Sequence, residues 1–200
     1  MRRYFIDLED PDLAYLVQGT PEFDAYIADM LWAQRYAFAS RSKMMDACLA
    51  SLFEVVGMGT EVDRINCHHN FTQMENHLGR NLWITRKGAI KADVKDRGVI
   101  PGSMGTRSYV VRGKGSKSSF ASCSHGAGRR MSRNEARKTL TVESLTQAMG
   151  DTAWNSGHAL ELLDEHPDSY KDIDEVMAAQ ADLVEVEAVL RQVFNYKGHK

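Results

Sequence analysis

The order of apolar and polar positions divides the chain into a helical first part and a mixed remainder. Thr20-Pro21-Glu22 has the form of a helix start: a hydroxyl able to cap, a proline at the first helical position and an acid in the first turn. Phe23, Tyr26, Ile27, Met30 and Leu31 then recur at helical spacing, and Met45, Cys48, Leu49, Leu52 and Phe53 continue the stripe until Gly57 and Gly59. The spacing predicts one long helix over about 21–56, with its stripe expected to act as core scaffold. From about Asn66 the pattern turns to short β-type runs. "NLWITRKGAIKAD" predicts two strands around Arg86-Lys87-Gly88, and "TRSYVVRG" and "SSFASCS" predict two more across the turn "GKGSKS". This strand-rich region spans about 66–125.

Beyond it, Ser132 and Glu135 have capping-box spacing, and Thr141 opens a short helix that Gly150 can close. "SGHALELLDEH" and "KDIDEVMAAQ" also read as helical, giving a helical region over about 132–180. The tail, about 183–197, alternates through Val184, Val186 and Ala188 and suits a closing strand, although its Glu and Leu content leaves a helix open. The sum is an α+β protein, with mixed or antiparallel sheets, flanking helices and glycine-rich polar stretches on loops between strands. No repeat or low-complexity tract marks a linker.

Composition adds bounds. Two hundred residues, 43% hydrophobic and 26% charged, suit an ordinary globular chain. No apolar run approaches the roughly 20 residues of a membrane span, so no membrane partner is expected. "MRRYFIDLEDPDLAYL" turns acidic too soon for a good secretory signal. Three cysteines, Cys48, Cys67 and Cys123, fit a reducing cytoplasm better than a disulfide framework. The formal net charge is only −2, but it is segregated: residues 112–138 hold eight Lys/Arg against one acid, and residues 139–200 hold four against twelve. The basic stretch is where a polyanion would be expected to land.

Candidate chemistry falls in and near that stretch. "NCHHNF" sets Cys67, His68 and His69 side by side, but neighbours in an extended chain face opposite ways and cannot all bind one ion. Paired zinc-type spacing is absent. "IPGSMGTRSY" forms a tight loop whose backbone donors and hydroxyls could meet a phosphate or a base, or could simply turn the chain. "RGKGSKSS" is not a phosphate loop of the Walker type, because Gly115 follows Lys114 and the glycine spacing fails. "SCSHGAGRRMSR" places His125 beside Gly126-Ala127-Gly128 and then Arg129, Arg130 and Arg133. An imidazole is a good nucleophile toward phosphorus, glycines let backbone approach phosphate oxygens, and arginines offset their charge. Ser124 or Cys123 could orient the ring. Alone, the stretch reads more readily as a glycine-rich turn with an incidental histidine.

It does not stand alone. "CHHNF", "TRKGAI", "IPGSMGTRSYVVRG", "SCSHGAGRRMSR" and "YKDIDEVMAAQADLVEV", in this order, resemble the C-terminal half of the RtcB family of RNA-splicing ligases, from about Leu13 to Gly198. The resemblance implies an RtcB-like fold, incomplete at its N-terminal side, with residues 1–200 as the C-terminal portion of one domain. It implies a GTP- and manganese-dependent ligase that joins RNA 2′,3′-cyclic phosphate or 3′-phosphate ends to 5′-hydroxyl ends through a histidine–GMP intermediate on His125. By the same resemblance His69 is a manganese ligand. Asn70, Pro101, Gly102, Ser103, Met104, Ser108, Gly126, Ala127, Gly128 and Lys197 line the guanosine site, and the arginines meet RNA. Family members are about twice this long. Their other manganese ligands lie in an N-terminal half whose motifs do not occur here, so a separate half would have to supply them. The alternative is a guanine-nucleotide- or RNA-binding remnant that lacks most of the metal site.

Overall fold

The computed structural model describes residues 6–198; Arg2 and Arg3, read above within a poor secretory signal, lie outside them. The chain falls into two compact units, residues 1–57 and 58–200.

The first unit is dominated by α1, Pro21–Val56. The Thr20 hydroxyl accepts from the Phe23 amide, Pro21 occupies the first helical position, and Gly57 closes the helix at φ +85°. That is the start and stop expected from local cap chemistry. The expectation of a core scaffold is corrected: none of the 36 helical residues is buried, and the stripe residues Tyr26 and Leu52 are 48% and 45% exposed. The unit's other described element is a one-turn 3-10 segment, Pro11–Leu13, which is too small to cover the stripe.

The second unit is α+β, built from small sheets. β1 (Asn70–His77) and β2 (Arg80–Lys87) form an antiparallel hairpin, β3 (Ala89–Lys91) pairs antiparallel with β6 (Ser122–Ser124), and β4 (Arg97–Pro101), β5 (Ser108–Gly113) and β8 (Val184–Leu190) make a three-stranded antiparallel sheet in the order β4-β5-β8. The short strands β7 (Ala153–Trp154) and β9 (Phe194–Asn195) pair in parallel. The helices are α2 (Arg133–Thr139), α3 (Val142–Met149) and α4 (Ile173–Ala178). The Ser132/Glu135 capping box and the Thr141 start with a Gly150 stop are present as expected. The tail is a strand over 184–190, as the first of the two readings has it, but of its residues only Val184 is buried, so the apolar alternation does not become a buried face.

Three expectations need correction. β1 and most of β4 fall between the runs assigned to strands, with Ile100-Pro101 of β4 inside the stretch read as a tight loop, and "SSFASCS" contributes only Ser122–Ser124, because Phe120 and Ala121 adopt left-handed backbone. "SGHALELLDEH" is not one helix but two 3-10 turns, Ser156–His158 and Leu163–Glu165. Inward-facing polar groups break its periodicity: His166 is 1% exposed, its Nδ1 accepting from the Asp168 amide and its Nε2 bonded to the Ser144 hydroxyl.

Two apolar clusters hold the unit. One gathers Ile90, Ile100, Val111, Cys123, Ala127 and Met177 between the sheets and α4. The other packs Met104 with Leu145, Met149, Leu162 and Leu163. Ile100 and Leu145 are wholly buried. The strands that end on this core carry the candidate site.

Candidate active site

Two separate strand pairings converge on one residue, Gly88. In the hairpin Asn70 pairs with Lys87, so His69, just before β1, lies opposite Gly88. In the second pair Ala89 faces Ser124, so His125, just after β6, also lies opposite Gly88. The Gly88 amide donates to the His69 carbonyl at 2.8 Å and to Asn70 Oδ1 at 3.1 Å, while its carbonyl accepts from the His125 amide at 3.3 Å. A chain that must leave one sheet and enter another within one residue needs φ +67° there, which favours glycine. The result is a stack of the His69 and His125 rings, 4.5 Å between centroids and 17° from parallel.

The neighbours of His69 face elsewhere, as the alternation argument requires. Cys67 packs on the core, and His68 tilts against Phe71 at 5.4 Å. His125 is half-buried. Burial, and then the neighbouring His69, hold its pKa below the ordinary imidazole value, against a smaller upward pull from its Gly88 hydrogen bond. The ring is therefore neutral at neutral pH and keeps a nucleophilic lone pair. Neither suggested orienting group touches it. Cys123 is buried, and burial first, then Cys67, pushes its thiol up to about 12 in spite of Arg86. The amide and hydroxyl of Ser124 are both held by the Gln180 side chain.

The second glycine motif abuts the first. Pro101 ends β4 opposite Ser108, and the loop between them is pinned by the Gly102 amide donating to the Arg107 carbonyl and the Ser103 amide donating to Thr106 Oγ1. Gln192 clasps it from outside: Nε2 donates to the carbonyls of Ser103 and Thr106, and Oε1 accepts from the Gly105 amide. A Cβ added to Gly126 would come within 3.3 Å of the Pro101 carbonyl, so the chain after His125 runs close against this loop. Met104 and Ala127 have their side chains in the core, 2% and 6% exposed, and can offer a ligand backbone only. Gly128 is left-handed, and its carbonyl accepts from the Lys171 amide.

The arginines divide. Arg129 is spent internally, donating to the carbonyls of Met131 and Asp164 and to the Tyr170 hydroxyl while lying over the Tyr170 ring. Arg130 is exposed and lines a cleft of about 400 Å³ with Ser103, Thr106, Arg107 and Lys171. Arg133 and Arg137 both approach the buried Asp164 carboxylate, at 3.7 and 3.2 Å. Lys197 pairs with Glu165 at 3.1 Å, and with the two arginines it lines a second cleft of about 550 Å³. Neither histidine lines that cleft.

Manganese does not fit this donor set by itself. Among the described residues no group of three or more His, Cys, Asp or Glu side chains is placed to hold a metal. One imidazole does not fix such an ion, since affinity comes from several ligands held in geometry. Sequence reasoning missed Gly88, Gln180 and Gln192. The glycine between two apolar runs in "TRKGAI" was a usable signal for the first, while the glutamines carry none.

Fold and site together define an α+β protein with a half-buried imidazole, stacked on a second one and framed by two abutting glycine loops. The family model described as tRNA-splicing ligase RtcB matches residues 1–198, and the chain belongs to that family. It is 44% identical to the RNA-splicing ligase RtcB of Escherichia coli (strain K12) over 213 aligned positions, covering 98% of this chain and 52% of that protein. It is 31% identical to the RNA-splicing ligase RtcB of Mycobacterium tuberculosis, covering 90% of this chain and 46% of that one. The tRNA-splicing ligase RtcB of Nanoarchaeum equitans is 30% identical, with coverages of 91% and 43%. The chain thus spans about half the length of these relatives. No helix among the described residues is long and apolar enough to cross a membrane.

Proposed function

We propose that this chain carries the nucleotidyl-transfer centre of a GTP-dependent RNA ligase, with His125 as the group that accepts GMP. The observation that carries this reading is the Gly88 joint, which stacks His69 on a neutral His125 beside the Pro101–Ser108 loop. A ring nitrogen of His125 attacks the α-phosphorus of GTP; the N–P bond forms as the bond to pyrophosphate breaks. GMP then passes to an RNA 3′-phosphate, which the 5′-hydroxyl of a second RNA attacks as GMP leaves. Asn70, the 101–104 and 126–128 backbone and Ser108 surround the guanosine nucleotide. Lys197 contacts the base, and Arg130 and Arg133 meet RNA phosphates. His69 is one manganese ligand; the remaining ligands, and the N-terminal side of the fold, come from polypeptide matching the other half of the relatives. The setting of such chemistry is the cytoplasm.

The test is intact-protein mass spectrometry after incubation with GTP and manganese, with and without the N-terminal half of a relative. A GMP-sized gain in the parent that is absent from His125→Ala is expected. An equal gain in both proteins, or none under either condition, would overturn the assignment.

A further inference from the structure

Gln180 follows α4, at the turn that starts β8, and is 5% exposed. Its main chain is fixed there: the carbonyl accepts from the amides of Leu183 and Val184 at 2.9 and 3.2 Å, and the amide donates to the Met177 carbonyl. Its side chain reaches one residue of β6. Oε1 accepts from the Ser124 amide at 3.0 Å, and Nε2 donates to Ser124 Oγ at 3.1 Å, with Met177 Sδ 3.3 Å away.

This pattern has a reason in the sheet. β6 is paired with β3 alone, so its second edge has no strand beside it. Successive backbone amides of a strand point to opposite edges. The His125 amide points toward the Gly88 carbonyl, and the Ser124 amide points the other way, to Gln180. A carboxamide carries one acceptor and a pair of donors, and so can stand in for the peptide of a missing strand. The two peptide groups that lead into His125 are thereby gripped from opposite sides, one by Gly88 and one by Gln180. The ring is held by a hydrogen bond with the Gly88 backbone and by the stack on His69, and the main chain that carries it is fixed on its other side through Ser124.

We infer that Gln180 is a positioning residue for His125, holding the imidazole on the His69 ring and in line for attack on the α-phosphorus. The inference rests on His125 being the group that accepts GMP, but its geometric half can be read without any reaction. Gln180→Leu keeps the bulk and removes both hydrogen bonds to Ser124. In Gln180→Glu the carboxylate still accepts from the Ser124 amide, and the Ser124 hydroxyl can turn to donate to it, so the clamp is largely restored. Ile173→Ala serves as the comparison: it opens a cavity in the same core, where Ile173 is 6% exposed, and leaves both Gln180–Ser124 hydrogen-bonding side chains in place.

The experiment uses the full chain, labelled with ¹³C at histidine. It reads the proton–proton Overhauser contact between the His69 and His125 rings and, separately, the rate of GMP attachment with GTP and manganese, in the presence of the N-terminal half of a relative. Gln180→Leu is expected to lose the ring contact while staying folded, and to take up GMP roughly 100-fold more slowly, the scale of an ångström-sized misplacement. Gln180→Glu should recover both, and Ile173→Ala should lower the melting temperature while retaining both. A Gln180→Leu protein with the parent's ring contact and labelling rate would overturn the inference, as would an Ile173→Ala protein that loses both equally. If the parent takes no GMP at all, the ligase reading fails, and the ring contact alone decides the role of Gln180.

Discussion

Glu75→Gln is expected to weaken the second unit by about 3 kcal/mol at neutral pH, and by far less in acid. The Arg86 side chain is 2% exposed and runs over the Phe71 ring, its cross-strand partner, to the Glu75 carboxylate. Nη1 and Nη2 donate to the two carboxylate oxygens at 2.6 and 2.9 Å, Nε donates to Ser122 Oγ at 2.8 Å, and Nη2 also donates to the Phe120 carbonyl at 2.9 Å. The guanidinium thus ties the hairpin to the left-handed Phe120–Ala121 turn that feeds β6. Breaking a buried pair by removing one charge costs about 3–5 kcal/mol, and glutamine, which keeps one acceptor, puts this case at the lower end. For a unit of this size the loss corresponds to roughly 10 °C in melting temperature.

The acid dependence follows from Glu75 itself. Burial pushes its carboxyl up, but the Arg86 hydrogen bonds, then His77 and the charges of Arg86 and Lys91, outweigh burial and leave the folded pKa below the ordinary 4.5. A lowered folded value contributes stability that is fully present above the unfolded pKa and is lost as pH falls through the folded one. Urea unfolding of parent and variant, followed by fluorescence at pH 7 and at successive values below 4.5, should therefore show a gap that closes with acid. A gap under about 1 kcal/mol at pH 7, or one that stays constant into acid, would refute the claim that this pair is a stabilising buried charge.

Two further outcomes follow from the site. Gly88→Ala meets no atom within 4 Å of the new Cβ, so its cost is the left-handed backbone alone, about 1–2 kcal/mol. GMP attachment should fall much further than stability does, and a variant unchanged in both would show that the joint does not set the histidine pair. In the native chain iodoacetamide at pH 8 should alkylate the exposed Cys48 and spare Cys123, whose buried thiol is pushed up to about 12, until urea is added; peptide mapping that finds Cys123 alkylated in the folded protein would contradict its burial.

How much could be read before the structure depended on how local each cause is. The caps at Thr20, Ser132 and Thr141 were legible because a hydroxyl and the amide it accepts from lie within three residues of one another. β4 was hidden by Gly98 and Pro101, but both fit an edge strand: Pro101 has no ladder hydrogen bond to lose on the open side, and a Cβ at Gly98 would meet Ile90 Cδ1 at 2.3 Å. The α1 stripe promised burial because periodicity reports an apolar face without reporting what covers it. In the site, His69, His125 and the glycine loops were legible as motifs, since their chemistry needs those residue types in sequence. What makes them a site is the meeting of two registers at Gly88, and a register is a property of strand pairs rather than of any segment. Gln180 marks the limit of such reading. Its amide does the work of an absent strand, so nothing near it in sequence distinguishes it from a surface glutamine, and only the open edge of β6 gives it a task.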